Sequence, residues 1–165
     1  MIVNTPQQTF RAALGQFFVK ETSTENLAAA RSLIERSETA GADLLVLPEC
    51  IIARKLGMPE WGQKQAEPLD GPFVSGLREA TRGRRVTVVC TVQAKIANES
   101  RYANDLLVIQ NGELRLTYQK IHLYDAFRGK ESSYAAPGDV LPQVLQIGPF
   151  KVGFLTCYDV RFPEM

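Results

Sequence analysis

Four consecutive apolar residues at positions 44–47 constrain the fold of this 165-residue chain more than any other feature. The run Leu44-Leu45-Val46-Leu47 follows Asp43 and is stopped by Pro48. It lacks the polar alternation of a strand with one wet face, and is typical of a strand that is covered on both faces. Such a strand needs further secondary structure above and below it, so we expect a layered fold.

The elements predicted around this strand alternate between strand and helix before they become hairpins. The predicted strands cover residues 11–18, 43–47, 85–93, 104–109, 113–119, 141–147 and 151–156. The predicted helices cover residues 22–41 and 73–82. Residues 53–72 and 121–139 are predicted to be loops. Thr22 and Glu25 have the spacing of a capping box at the first helix. Asn111-Gly112 and Gly148-Pro149 are typical of hairpin turns. The pattern indicates an α/β fold in which helices cover a mixed sheet.

The size and composition fit one globular domain over residues 1–165. Hydrophobic residues make up 45% of the chain and charged residues 22%, which is not the composition of a disordered protein. The net charge of +1 gives no indication of a nucleic-acid partner, and we expect the basic run at 82–85 to be a solvated helix end. No stretch approaches the roughly 18 apolar residues of a membrane span, so no membrane partner is expected.

The three cysteines, Cys50, Cys90 and Cys157, are odd in number and widely spaced. This pattern does not favour a disulfide framework, and residues 1–8 show no secretory signal, so we expect a cytoplasmic protein. A single histidine and the lack of a Cys-x-x-Cys pair make a structural zinc site improbable, and we expect no metal. No glycine-rich phosphate loop is present, and no cofactor is expected.

Polar residues that can perform chemistry follow three of the predicted strands, which is where open α/β sheets place their sites. Cys157 ends the 151–156 strand, and a strand that stops at a nucleophile and turns sharply exposes the reactive atom. Glu49 follows Leu47-Pro48, where a carboxylate can act as a base. Lys120 ends the 113–119 strand, where its ammonium can face a pocket. The alternative for Cys157 is a small buried thiol, that for Glu49 is a surface carboxylate, and that for Lys120 is a solvated side chain.

The only histidine, His122, lies two residues beyond Lys120. A cysteine nucleophile needs a base, because only the thiolate attacks. A Cys157–His122 pair is one hypothesis, although the flanking sequence lacks a signature of cysteine proteases. The other hypothesis is that His122 is a hydrogen-bonded residue of the scaffold.

Three motifs occur in chain order, each after a predicted strand. They are Leu-Pro-Glu at 47–49, Tyr-x-Lys-x-His-Leu at 118–123 and Cys-Tyr-Asp-x-Arg-Phe-Pro-Glu at 157–164. With these motifs the chain resembles the nitrilase superfamily of carbon–nitrogen hydrolases from about residue 11 to residue 165. Residues 124–127 and 161–164 resemble the branch of small-amide hydrolases that includes omega-amidases and deaminated-glutathione amidases.

The resemblance implies an αββα sandwich, incomplete here because family members continue beyond the point that corresponds to residue 165. It implies a catalytic triad of Glu49, Lys120 and Cys157, with Glu131 as a second glutamate. The backbone N–H of Tyr158 is the expected second donor to an oxyanion. The implied reaction is hydrolysis of a small linear amide to a carboxylate and ammonia through a cysteine thioester. A homodimer is expected if the C-terminal part of the fold is present.

Three alternatives to amide hydrolysis remain at this point. The same triad serves enzymes that act on nitriles or on N-carbamyl amides, so the motifs leave the substrate open. A truncated chain that keeps the motifs without a complete pocket would be a non-catalytic interaction module. The third alternative is the hydrolase that uses His122 as its base.

Overall fold

The alternation of strands and helices that the sequence predicts is present in the computed structural model, which describes residues 9–127 and 129–165. Our interpretation of residues 1–8 as lacking a secretory signal lies outside these residues. The strands are β1 (Ala12–Leu14), β2 (Leu44–Val46), β3 (Thr87–Lys95), β4 (Tyr102–Gln110), β5 (Glu113–Gln119), β6 (Ala135–Ala136), β7 (Leu145–Ile147) and β8 (Phe150–Val152). The α-helices are α1 (Ser23–Thr39), α2 (Trp61–Gln65) and α3 (Pro72–Thr81), and short 3-10 helices cover Glu131–Ser133 and Cys157–Arg161.

The main sheet is mixed and has the strand order β1-β2-β3-β4-β5, with the short β6 paired to β4. β2 runs parallel to both β1 and β3, as a strand from the middle of an α/β sheet does. β4 is antiparallel to both of its neighbours in this order, β3 and β5. Asn111 and Gly112 both have left-handed backbone conformations in the tight turn between β4 and β5, which confirms the predicted hairpin.

Helices α1 and α3 cover one face of this sheet. Their side chains Ile34, Phe73 and Leu77 pack in one apolar cluster with Leu45 and Val88 of the sheet. The other face has its own cluster, in which β7 and β8 form a small second sheet that brings Ile147 onto it. The side chains of this second cluster are Leu44, Val89, Leu106, Val108, Leu116, Tyr118, Ile147 and Phe154. The strand at 44–47 therefore has apolar contacts on both faces of the sheet, as its sequence predicted. The predicted mixed α/β fold is confirmed.

Three predicted strands are clearly shorter in the structure. Of the strand predicted over 141–147, only Leu145–Ile147 is present as β7. β1 ends at Leu14 rather than at residue 18, although Gly15 N–H still donates to the Val46 carbonyl at 2.8 Å. The prediction of a strand through 151–156 is wrong in its extent, because β8 ends at Val152. Thr156 keeps an extended backbone but has no paired strand beside it in the described part of the chain. Apolar sequence therefore predicted extended backbone at this point better than it predicted strand pairing.

The predicted capping box at α1 is also wrong in its contacts. Thr22 is the N-cap residue, but its hydroxyl donates to the Glu25 carboxylate at 2.6 Å and does not cap a backbone N–H. Lys20 binds the same carboxylate at 2.8 Å and holds it away from the helix end. Among residues 9–127 and 129–165, no helix has the length and apolar character needed to cross a lipid bilayer.

Candidate active site

Glu49, Lys120, Glu131 and Cys157 all line one cavity of about 330 Å³. Glu49 lies three residues after β2, Lys120 directly after β5, and Cys157 at the start of a 3-10 helix. The sequence predicted all four, and the fold brings them together from positions up to 108 residues apart in the chain. A larger cleft of about 850 Å³ contains none of the four and is lined in part by the arginines Arg84, Arg85 and Arg115.

Lys120 lies at the centre of this group and is only 1% exposed. Its Nζ donates to Glu49 Oε1 at 3.0 Å and to the two Glu131 oxygens at 3.1 and 2.9 Å. Its backbone is fixed on both sides, because Lys120 N–H donates to the Asn104 carbonyl and the Lys120 carbonyl accepts from Gly138 N–H. Burial alone would lower the pKa of Lys120, but the two carboxylates raise it above the ordinary value. The side chain is therefore a fixed cation.

Asn104 joins the two glutamates and was not predicted as a site residue. It is fully buried in β4, and its Nδ2 donates to Glu49 Oε1 at 2.8 Å and to Glu131 Oε1 at 3.3 Å. Because both partners are carboxylates, the orientation of the amide group is determined. Glu131 Oε2 also accepts from Tyr124 N–H at 2.7 Å, so both of its oxygens are engaged.

Glu49 differs from Glu131 because only one of its two carboxylate oxygens binds Lys120 and Asn104. Its Oε1 accepts from Lys120 and Asn104, whereas its Oε2 accepts from neither of them, and the Glu49 carboxylate lies within hydrogen-bonding reach of the Cys157 thiol. The Glu49 side chain is 35% exposed, compared with 9% for Glu131. Glu49 thus has a carboxylate oxygen available toward the cavity, whereas Glu131 is held in place.

Cys157 is the exposed thiol of the three cysteines. Burial and the nearby carboxylate of Glu49 raise the pKa of Cys157, and Lys120 acts in the opposite direction. Burial raises the pKa of Cys50 and Cys90 to about 12, with the charge of Glu49 adding to the effect at Cys50. The Cys157 thiol therefore keeps its proton at neutral pH, and a base is needed to remove it at the moment of attack.

The backbone at Cys157 has a left-handed conformation, with φ of 48°. A non-glycine residue in this region costs of order 1–3 kcal/mol and persists only where the surroundings enforce it. The next residue, Tyr158, packs its ring edge-on against Tyr124 with ring centroids 5.2 Å apart. The sharp turn predicted after the nucleophile is therefore present, as a 3-10 helix over Cys157–Arg161.

His122 lies next to this turn but has a different partner. Its Nδ1 lies 2.9 Å from Asp159 Oδ1, and its ring stacks on Phe162 with centroids 3.5 Å apart. In the described part of the chain it makes no hydrogen bond to Cys157. The geometry favours the scaffold hypothesis for His122 over the base of a Cys–His pair.

Sequence reasoning missed Asn104 and gave no role to Asp159. A signal for Asn104 exists, because Asn104-Asp105 is a polar pair in β4 that directly precedes the apolar run 106–109. Buried polar residues in a strand need partners, and this pair indicates a polar site nearby. Asp159 stands in the motif at 157–164, but its partners come from residues about 40 positions earlier, which spacing does not predict.

A layered α/β fold that gathers a thiol, a lysine and two carboxylates in one cavity is typical of hydrolases that act through a cysteine. The model of the family described as carbon-nitrogen hydrolase matches residues 11–165. The chain belongs to this family, which confirms the resemblance to the nitrilase superfamily.

Curated relatives and solved structures agree with this assignment. The chain is 34% identical over 153 residues to the deaminated glutathione amidase of Escherichia coli O157:H7, covering 93% of this chain and 58% of the relative. It is 29% identical to the omega-amidase of Xenopus tropicalis, covering 94% and 57%. A mutant amidase from Nesterenkonia sp. AN1, with acrylamide added at its active-site cysteine, superposes with a TM-score of 0.81 at 28% identity, covering 95% and 61%. The chain thus spans less than two thirds of the length of each of these proteins.

Proposed function

We propose that this protein hydrolyses the C–N bond of a small linear amide, with Cys157 as nucleophile, to give a carboxylate and ammonia. One observation carries the proposal: an exposed thiol shares a cavity with a lysine cation that two carboxylates hold in place. Membership of the carbon-nitrogen hydrolase family supports the class of bond. The names of the amidase relatives support an amide over other substrates.

In the first half of the proposed reaction, Glu49 takes the proton from the Cys157 sulfur. Its Oε2 has no other partner among the described residues, which suits this role. The thiolate attacks the amide carbon, a C–S bond forms, and the carbonyl π electrons move to oxygen. Glu49 then gives its proton to the amide nitrogen as the C–N bond breaks and ammonia leaves. A thioester on Cys157 remains.

In the second half, Glu49 accepts a proton from water and the resulting hydroxide attacks the thioester. The C–S bond breaks, and the proton returns through Glu49 to the Cys157 sulfur. The product is the free carboxylic acid. All atoms of the products come from the amide and one water molecule, and no atom changes its oxidation state, so the reaction needs no redox partner.

The negative oxygen that forms in both tetrahedral intermediates needs positive charge that is already in place. We assign this role to Lys120, with the backbone N–H of Tyr158 as the second donor. Glu131 orients Lys120, to which it binds with both oxygens. A fixed cation stabilises the intermediate without reorganisation, and losing one such donor typically costs about 100- to 1000-fold in rate.

The cavity also suggests what else the substrate carries. Arg54 lines the same cavity, and its guanidinium forms no ion pair with any residue that the structure describes. An arginine of this kind suits a carboxylate, because its planar fork binds two oxygens at once. We therefore propose an amide that also carries a carboxylate as the preferred substrate, ahead of N-carbamyl amides and nitriles.

Ammonia release from a panel of omega-amides, N-carbamyl amino acids and nitriles tests the reaction and ranks the substrate classes. We expect release from the omega-amides, its loss in Cys157→Ala, and an acyl adduct on Cys157 in mass spectra with a slow substrate. Cys90→Ala is the matched control and should keep activity, because Cys90 lies in the apolar core and is not among the residues that line the cavity. Normal ammonia release by Cys157→Ala would overturn the covalent mechanism.

The interaction-module alternative predicts no turnover of any amide by the full protein. The intact hydrogen bonds around Lys120 argue against decay of the site. A homodimer and a cytoplasmic location stay predictions, and light scattering coupled to size-exclusion chromatography tests the first.

A further inference from the structure

We propose that Asp159 is a positioning residue that ties the Lys120 segment to the Cys157 turn through Tyr118 and His122. The proposal rests on the proposed function, because it concerns how the nucleophile and the lysine are held relative to each other. It gives a role to the two outer residues of the Tyr-x-Lys-x-His motif.

The spacing of this motif is two residues, which in an extended chain places alternate side chains on one face. Tyr118 lies at the end of the alternation in β5, Lys120 directly follows this strand, and His122 lies two residues further on. Lys120 binds the two glutamates. Tyr118 and His122, two residues before and two residues after it, both bind Asp159. The lysine is thus bracketed by two contacts to one carboxylate.

Asp159 is fully buried, and four hydrogen bonds converge on it. Oδ2 accepts from the Tyr118 hydroxyl at 2.8 Å and from Thr156 N–H at 3.2 Å. Oδ1 lies 3.0 Å from His122 N, which donates its N–H, and 2.9 Å from His122 Nδ1. A buried carboxylate persists only where its oxygens are satisfied in this way. Asp159 is therefore a junction between two segments that are about 40 residues apart in the chain.

The junction encloses the nucleophile. Thr156 precedes Cys157 and Asp159 follows it by two residues, so the contact between them closes a loop around the left-handed cysteine. Further along the same turn, Phe162 stacks on the His122 ring at 3.5 Å. Both ends of the turn are thereby attached to residues that neighbour Lys120. The position of the thiol relative to the ammonium is set by these contacts.

The Tyr118 hydroxyl is suited to a permanent contact of this kind. Burial raises the pKa of Tyr118, and the bond to Asp159 raises it further, so the hydroxyl keeps its proton. The same oxygen accepts from Ile121 N–H at 3.2 Å, one residue beyond the lysine. The hydroxyl therefore links the backbone beside Lys120 to the carboxylate in the cysteine turn.

Two substitutions of His122 separate positioning from other roles. His122→Phe keeps a flat ring against Phe162 but removes the side-chain donor to Asp159. His122→Asn removes the ring, yet its amide nitrogen can take the place of Nδ1 as the donor. We expect His122→Phe to lower kcat by about 10- to 100-fold with KM changed less than about twofold, since small misplacements of reacting groups cost this much. His122→Asn should keep kcat within about threefold.

Tyr118→Phe and Asp159→Asn test the other contacts of the junction. We expect each to lower kcat more than it changes KM, and the Tyr118→Phe/His122→Phe double variant to lose less than the product of the two single losses. Asp105→Asn is the matched control, because it removes another buried carboxylate, on β4, that makes no hydrogen bond to the turn among residues 9–127 and 129–165. It should leave kcat unchanged, and all variants are compared well below their melting temperatures.

The rate of Cys157 alkylation by iodoacetamide provides a readout that needs no substrate. His122→Phe should lower the alkylation rate, as it lowers kcat, and by a similar factor. His122→Asn and Asp105→Asn should be alkylated at the rate of the unsubstituted protein. Unchanged kcat and alkylation in His122→Phe would overturn the positioning role. So would a His122→Asn variant as inactive as His122→Phe, because that result assigns the chemistry to the imidazole itself. If the unsubstituted protein hydrolyses no amide, the proposed function fails, while the alkylation rates still decide the role of Asp159.

Discussion

Replacing Lys120 by methionine is the substitution that tests the site most severely, because it removes the cation and keeps a side chain of similar length. In the folded protein all three described hydrogen bonds of Nζ go to carboxylates. Lys120 and Glu131 are both buried, so the loss is not screened by solvent as at a surface pair. Breaking a buried ion pair by removing one partner typically destabilises a protein by about 3–5 kcal/mol.

The effect on activity is separable from the effect on stability. Loss of an oxyanion donor raises the barrier of the chemical step by about 2.7–4 kcal/mol, which is about 100- to 1000-fold in kcat. The double variant Lys120→Met/Glu131→Gln removes the uncompensated charge as well. We expect it to recover part of the free energy of unfolding, measured by urea denaturation, without recovering kcat.

Single-turnover kinetics with a good amide substrate complete the test. The oxyanion role predicts that Lys120→Met slows thioester formation at saturating substrate. A variant with weakened substrate binding but an unchanged rate of thioester formation would refute it. A double variant that regains both stability and kcat would show instead that Lys120 serves only to neutralise the glutamates.

Three further predictions concern side chains around the cavity. Asn104→Leu should lower kcat by at least about tenfold in steady-state assays, because both glutamates lose a buried donor. Arg54→Met should raise KM for carboxylate-bearing amides but not for neutral ones, and equal changes for both would exclude carboxylate recognition. Burial raises the pKa of Asp105 to about 6, so its contribution to stability is complete below its unfolded pKa and lost as pH rises through 6. Relative to Asp105→Asn, the unsubstituted protein should lose roughly 2 kcal/mol between pH 4 and 7 in urea denaturation, and parallel stability curves would contradict this.

The sequence predicted the sheet well where burial alone decides the structure. The apolar run at 44–47 and the Asn111-Gly112 turn specify local conformation without help from distant residues, and both were confirmed. The strand predicted over 151–156 was too long, because β8 ends at Val152 and the last four predicted residues have no paired strand among the described residues, although Thr156 keeps an extended backbone. Hydrophobicity predicts that a segment is buried. Whether the segment pairs in a sheet depends in addition on whether another strand lies next to it.

The same division applies to the site. Glu49, Lys120 and Cys157 were predicted from the three motifs and Glu131 from the family resemblance, and the fold places all four around one cavity. Asn104 was missed because its two partners, Glu49 and Glu131, lie 55 and 27 residues away in the chain, and sequence spacing does not specify contacts at such distances. The capping box at Thr22 failed for a related reason, since Lys20 competes for the Glu25 carboxylate from outside the motif.

The ammonium of Lys120 has three N–H donors, and in the resting site carboxylate oxygens accept from it at three positions. No donor is therefore idle before substrate binds. In the proposed reaction, Glu49 becomes neutral when it takes the thiol proton, and a neutral carboxyl group holds an ammonium less strongly than a carboxylate does. The donor released in this way becomes free as negative charge develops on the substrate oxygen. In the proposed reaction, the contact between Glu49 and Lys120 therefore couples deprotonation of the thiol to the release of a donor for the oxyanion.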